Sequence, residues 1–235
     1  MIKILAIGNS FSQNTTELLQ LTDGDIFVRN LYIGGCSLKT HAENIAGNVK
    51  AYYYQENGTK CRADKVSIED ALGFEKWDYV TVQQCSGESG IIDSFYPYLS
   101  EIISFVRSRS DAEIIWHMTW AYETGAPHAQ FPLYDNDRKK MYDSIVRAAK
   151  TVSEREGLRV IRSGDAVEKA RSFPIFDSSE GGFDITADGY HLTTYGRILT
   201  AGVWLKFFTG KVPACVDKDN LSEPMSVIKN VLVGM

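Results

Sequence analysis

Three side chains far apart in the sequence have the chemical types needed to attack a carbonyl carbon: Ser10, Asp188 and His191. Ser10 lies in the turn Gly8-Asn9-Ser10, and Asp188 precedes His191 by three residues in the stretch Asp188-Gly189-Tyr190-His191-Leu192-Thr193. A serine hydroxyl attacks as its proton is removed, which an imidazole can do. A carboxylate beside that ring holds the tautomer whose free nitrogen faces the serine, and such sets are recognised by role and geometry, not chain order. Taken alone, the Gly8 turn also reads as an ordinary helix-capping turn, and His191 as a capping or core histidine.

The elements that would position these residues follow from the apolar pattern. Ile2, Ile4, Leu5, Ala6 and Ile7 form a nearly continuous apolar run that stops at Gly8, as a strand buried on both faces of a parallel sheet would. Such a strand delivers Ser10 to the carboxyl edge of the sheet, where loops and helix N-termini converge on one crevice. Asn14 with Glu17 resembles a capping box for a short helix ending near Gly24. A second strand over Ile26–Ile33 ends in Gly34-Gly35, and Leu38 to about Lys50 reads as a helix. Tyr52–Glu56 and Thr59–Ala63 flank Asn57-Gly58, which predicts a β-hairpin outside the main sheet. Ser67–Leu72 reads as a short capped helix. Strands over Tyr79–Gln83, Glu113–Met118 and Leu158–Ile161 alternate with helices over Ser94–Arg109, Asp137–Glu156 and Ala166–Ser172. A final helical run over Thr193–Phe208 follows the Asp188 motif, and the long stretch Thr119–Asp135 is a loop of the length that usually carries function.

Composition narrows the function classes. A chain of 235 residues suits one domain over 1–235 and buries roughly 70–75% of its unfolded surface, so neither disulfide nor metal is required. The net charge of -5, without a basic run, argues against nucleic acid or a membrane surface as partner and leaves a small molecule. Cys36, Cys61, Cys85 and Cys215 are widely spaced and read as free thiols. Asp135 and Asp137 beside Arg138 read as a solvated helix start, so no metal site is expected. The first strand leaves no room for a charged leader, and no apolar stretch reaches about 18 residues, which points to the cytoplasm. A secreted chain trimmed of its leader would read the same.

At Gly8-Asn9-Ser10, Gly34-Gly35, Gln83-Gln84 and Asp188-x-x-His191 the chain resembles the SGNH or GDSL family of serine esterases and acyl hydrolases. The resemblance spans almost the whole chain, with the blocks in the family's order. The stretches GNSFS, QQCSG and WHMTWAY are similar to a poorly characterised bacterial branch of it. The resemblance implies an α/β class, a three-layer, flavodoxin-like α/β/α sandwich with a five-stranded, mainly parallel sheet, and no cofactor. It implies Ser10 as nucleophile, His191 as base and Asp188 as its orienting carboxylate. It also implies three oxyanion donors: the N–H of Ser10, the N–H of Gly35 or Gly34, and a side-chain amide.

The family's Gly-x-Asn-Asp block is missing here, so the third donor falls to Gln84, with Gln83 as the alternative. Asn9 stands where the family has aspartate. Asn9, Gln83, His117, Trp120 and Tyr122 are candidate substrate contacts. For His117 the alternative is a hydrogen-bonded structural role, and for Trp120, Tyr122 and Phe131 it is packing of the loop on itself. The implied reaction is hydrolysis of a short-chain acyl ester, with O-acetyl groups on carbohydrate ahead of lipid esters and thioesters. An acyltransferase using the same acyl-enzyme, or a ligand-binding protein that no longer turns over, are the alternatives.

Overall fold

Ile4, Leu5, Ala6 and Ile7 are buried because the strand they form, β1 (Ile2–Gly8), has a parallel neighbour on each side. The computed structural model describes residues 1–22, 25–177, 179, 181 and 184–235. In chain order the elements are β1, α1 (Ser10–Thr22), β2 (Ile26–Tyr32), α2 (Leu38–Ala46), β3 (Tyr53–Glu56), β4 (Thr59–Lys60) and α3 (Ile68–Phe74). There follow β5 (Tyr79–Val82), α4 (Tyr98–Arg109), β6 (Glu113–Met118), α5 (Arg138–Glu156), β7 (Arg159–Arg162), α6 (Ser163–Ala170), α7 (Thr194–Thr209) and α8 (Glu223–Val233).

The sheet order is β4-β3-β2-β1-β5-β6-β7. Its five parallel strands run 2-1-3-4-5 when counted along the chain, the doubly wound order whose switch point lies between the first and third parallel strands. That switch point falls between β1 and β5, so Gly8-Asn9-Ser10 and Gln83-Gln84 open side by side. Helices cover the sheet in two groups. In one, α7 touches α1, α6 and α8; in the other, α4 touches α2 and α3, and Ser100 on α4 donates to Glu156 at the end of α5. The fold is therefore the expected α/β sandwich.

Two expectations differ in detail. The hairpin around Asn57-Gly58 does form, with both residues at positive φ, but it is not outside the sheet. Tyr53–Gln55 pair antiparallel with Asn30–Tyr32, so β3 and β4 extend the sheet to seven strands. Tyr52 and Tyr54 turn inward while Tyr53 is exposed, the alternation that a strand imposes. The first helix begins at Ser10, not at Asn14. Asn9 caps it by accepting from the Phe11 N–H through Oδ1 and from the Gln13 N–H through its backbone oxygen. Its expected end near Gly24 lies outside the described residues. Ser67 and Asp70 form a reciprocal capping box at α3, in agreement with the capped helix expected there.

Candidate active site

The turn that carries His191 is built by Asp188. Its Oδ1 accepts the backbone N–H groups of Tyr190 and His191 at 3.1 and 2.7 Å, and its Oδ2 lies 2.7 Å from His191 Nδ1. A carboxylate can only accept there, so Nδ1 carries a proton, and in the neutral ring Nε2 holds the free lone pair. Burial pushes the Asp188 carboxyl up, but the His191 N–H, the His191 ring and the Tyr190 N–H together hold it below its ordinary value. Asp188 therefore stays ionised into acid. Whatever stability it lends is present above the usual carboxylate pKa and is lost as pH falls through the lowered one. Gly189 at φ +92 closes the turn, and a Cβ there would meet Ala126 Cβ at 2.8 Å.

Long-range contacts seat this turn on α1. Asn14 Oδ1 accepts the Leu192 N–H at 2.8 Å, and the Phe11 and His191 rings lie 6.1 Å apart. Trp120 stacks on Phe11 at 4.3 Å and donates from Nε1 to the Tyr190 carbonyl, and the Glu123 N–H donates to the Gly189 carbonyl. The His191 and Asp188 side chains remain 34% and 41% exposed. Ser10 is half-buried at the first position of α1, next to Phe11. Neither its hydroxyl nor His191 Nε2 has a hydrogen-bond partner among the described residues, so both are at liberty to engage a substrate or each other.

The turn before Ser10 is tight. A Cβ on Gly8 would sit 2.4 Å from Ser12 Oγ and 3.2 Å from Gln83 Cδ, which only glycine avoids. The Ser10 N–H is one of the orphan donors at a helix start. Gly34 and Gly35 are exposed, and Gly35 adopts φ +62 with open space around its Cβ position. That conformation suits a backbone N–H approached closely by a ligand.

The side-chain amide assigned to the oxyanion is spent elsewhere. Gln84 Nε2 donates to the Ser94 hydroxyl at 2.9 Å and to its carbonyl at 3.2 Å, while Oε1 accepts from the Leu38 and Cys85 N–H groups. Gln84 is thereby a buried clamp between the loops after β2 and β5, and in this arrangement its amide does not face a substrate. Gln83, the alternative, donates from Nε2 to Asn9 Oδ1 at 2.8 Å and presents Oε1 to His117 Nδ1 at 2.8 Å.

The five candidate substrate contacts are likewise interior. Asn9, Gln83 and His117 are buried in one polar chain, and Trp120 and Tyr122 are each 0% exposed. The aromatic side chains form a floor and do not line an open cleft: Tyr122 packs against Phe131, His128 and Tyr190 and donates to Ser86 Oγ. A long aromatic side chain in a loop buries itself on whatever apolar ground the loop crosses, and here that is the underside of the His191 turn. His128 lies half-buried against Tyr190, itself 4.5 Å from the His191 ring.

Burial also decides the cysteines. Cys36 and Cys85 are buried, and desolvation pushes both thiols up to about 12, so they are neutral packing groups near neutral pH. Among the described residues, no group of three or more His, Cys, Asp and Glu side chains is arranged to hold a metal ion. None of the helices, over those residues, is long and apolar enough to cross a membrane.

Asn9 offers a direct test of this local chemistry. Its Nδ2 donates to the Cys36 carbonyl at 3.2 Å while Oδ1 takes two N–H groups. Asn9→Asp puts a carboxylate oxygen against that carbonyl with no proton between them. The variant is expected to lose about 1–3 kcal/mol in urea unfolding at pH 7. The loss should shrink as pH is lowered and the new carboxyl gains a proton; an unchanged midpoint would contradict the assignment.

A structure of a DUF4886 family protein from Bacteroides uniformis is 37% identical, with a TM-score of 0.85 over 99% of this chain and 95% of that one. A candidate SGNH hydrolase from Slackia heliotrinireducens is 20% identical, with a TM-score of 0.61 over 88% and 98%. An acetylxylan esterase from Geobacillus stearothermophilus is 13% identical, with a TM-score of 0.55 over 91% and 97%; these two show a shared fold. No curated protein matches the sequence. The model of the family described as a domain of unknown function, DUF4886, matches residues 3–225, and the chain belongs to that family.

Proposed function

We propose that the protein is a serine hydrolase that cleaves short-chain acyl esters through an acyl-serine intermediate. The observation that carries this reading is the Asp188–His191 pair at 2.7 Å, seated through Phe11 and Asn14 on the helix that begins with Ser10. In the proposed mechanism His191 Nε2 takes the Ser10 proton as Oγ attacks the ester carbonyl. Asp188 steadies the imidazolium that forms. The alkoxide produced at the carbonyl oxygen is met by the backbone N–H groups of Ser10 and Gly35. His191 then returns its proton to the leaving alcohol, and a water repeats the sequence to free the acid.

The substrate assignment rests on shape and on analogy. Trp120, Tyr122 and Phe131 fill the ground beneath the His191 turn, which favours a small acyl group. An acetylxylan esterase shares the fold, so O-acetyl groups on carbohydrate are the substrates to try first. Hydrolysis of p-nitrophenyl acetate, butyrate and octanoate tests the proposal. Rates should fall steeply with chain length, and acetylated sugars should compete. A preference for octanoate would overturn the short-acyl assignment. The engaged amide of Gln84 favours one other reading, a ligand-binding protein of the same fold, which absence of any Ser10-dependent turnover would support.

A further inference from the structure

The carboxyl ends of all five parallel strands are joined by one buried chain of hydrogen bonds. It runs from the Cys36 carbonyl after β2 to Asn9 after β1, then Gln83 after β5, His117 on β6 and Ser163 after β7. The links measure 3.2, 2.8, 2.8 and 3.0 Å, and the four side chains are at most 1% exposed.

The chain has only one direction. The Phe11 N–H can only donate, so the atom it meets on Asn9 is the oxygen; the Cys36 carbonyl can only accept, so it faces the Asn9 nitrogen. Asn9 Oδ1 then requires the NH2 of Gln83, which turns Gln83 Oε1 toward His117 Nδ1. His117 Nδ1 must carry the proton, and its bare Nε2 must accept from the Ser163 hydroxyl. Burial holds the His117 ring neutral, down to about 3, so this order persists at every ordinary pH. Backbone groups thus fix both amide orientations and the histidine tautomer.

We propose that Asn9, Gln83 and His117 are positioning residues that set the separation between the Ser10 and Gly35 N–H groups. This rests on the serine-hydrolase reading. Asn9 is the link that matters: it caps the helix bearing Ser10 and grips the carbonyl of Cys36, the residue after Gly35. Gln83 and His117 hold Asn9 in that pose from the neighbouring strands β5 and β6. A small displacement of preorganised donors costs rate without weakening substrate binding, because the donors matter most once charge has developed on the oxygen.

The test compares wild type, His117→Phe, His117→Asn and Ser10→Ala in p-nitrophenyl acetate turnover and in labelling by a fluorophosphonate probe. Asparagine keeps an N–H where His117 Nδ1 donates and gives up only the Ser163 link. His117→Phe should lower kcat about 10- to 100-fold with KM changed less than about twofold. His117→Asn should recover most of that loss. In ¹⁵N spectra of the wild type, His117 Nδ1 should be protonated and Nε2 bare, a readout that needs no variant. A bare Nδ1, a kcat for His117→Phe equal to wild type, or no recovery in His117→Asn overturns the positioning role alone. Equal labelling of wild type and Ser10→Ala overturns the nucleophile assignment first, and the positioning role with it.

Discussion

Replacing Ser10 by alanine is expected to lower kcat on a p-nitrophenyl ester by about 10⁴-fold or more, a loss of about 5.5 kcal/mol in transition-state stabilisation. The hydroxyl has no hydrogen-bond partner among the described residues, so its removal should leave the unfolding midpoint within about 0.5 kcal/mol of wild type. His191→Ala should cost a similar factor, and the double variant little more than either alone, because the pair acts as a unit. Asp188→Asn belongs to the same experiment. An amide at that position can present its NH2 to the ring and stabilise the tautomer that leaves Nε2 protonated, the wrong one for a base. Full activity in Ser10→Ala, measured on protein free of contaminating esterase, would dismiss the triad.

The second large effect is on stability, at Arg171. Its side chain is 1% exposed, donates from Nε to Glu123 at 2.8 Å and from Nη1 to the Ala121 carbonyl at 3.0 Å, and lies 3.5 Å from Glu168. Burial lowers its pKa and the two carboxylates raise it, yet a guanidinium stays charged, so the cluster is a held cation between two half-sheltered anions. Arg138 approaches both of those carboxylates from the solvent side at 3.8 and 3.5 Å. Arg171→Met removes the cation and leaves Glu123 and Glu168 facing each other with only Arg138 between them. The expected loss is about 3 kcal/mol, the lower part of the range for breaking a buried pair, since both carboxylates keep some water. That corresponds to a fall in Tm of roughly 6–12 °C. Because Glu123 also pins the Gly189 carbonyl through its N–H, turnover should fall as well. Adding Glu123→Gln should restore part of the Tm. A variant as stable as wild type would mean that Arg138 suffices.

Much of this was legible in the chain. The apolar runs gave the five parallel strands, because a strand buried on both faces has no polar positions to blur its ends. Asn57-Gly58 gave the hairpin, and Asp188-x-x-His191 gave a pair whose geometry is local and needs only the Asx turn that aspartate forms. The failures share a cause. Whether Gln84 lends its amide to a ligand depends on Ser94 and Leu38, and whether Asn9 touches substrate depends on Gln83 and Cys36. Those partners lie 10 to 74 residues away, beyond any local pattern. Trp120 and Tyr122 carry the same side chains as floor or as wall; only the docking of their loop on the His191 turn decides which. The helix start is hidden because Phe11, Ser12, Thr15 and Thr16 are poor advertisements for a helix, and its cap is an asparagine that also bonds to the loops after β2 and β5.

The contact between Asn14 and Leu192 spans 178 residues. Elements such as β1 and α1 can form from neighbouring segments, but the His191 turn reaches the helix that begins with Ser10 only after the rest of the sheet has closed between them, and closures of that span are the slow ones. Under the proposed mechanism, return of turnover during refolding is expected to clock the completion of the whole domain, while recovery of helical signal clocks only its parts. A partly folded chain holding Ser10 without His191 is expected to be an inert one.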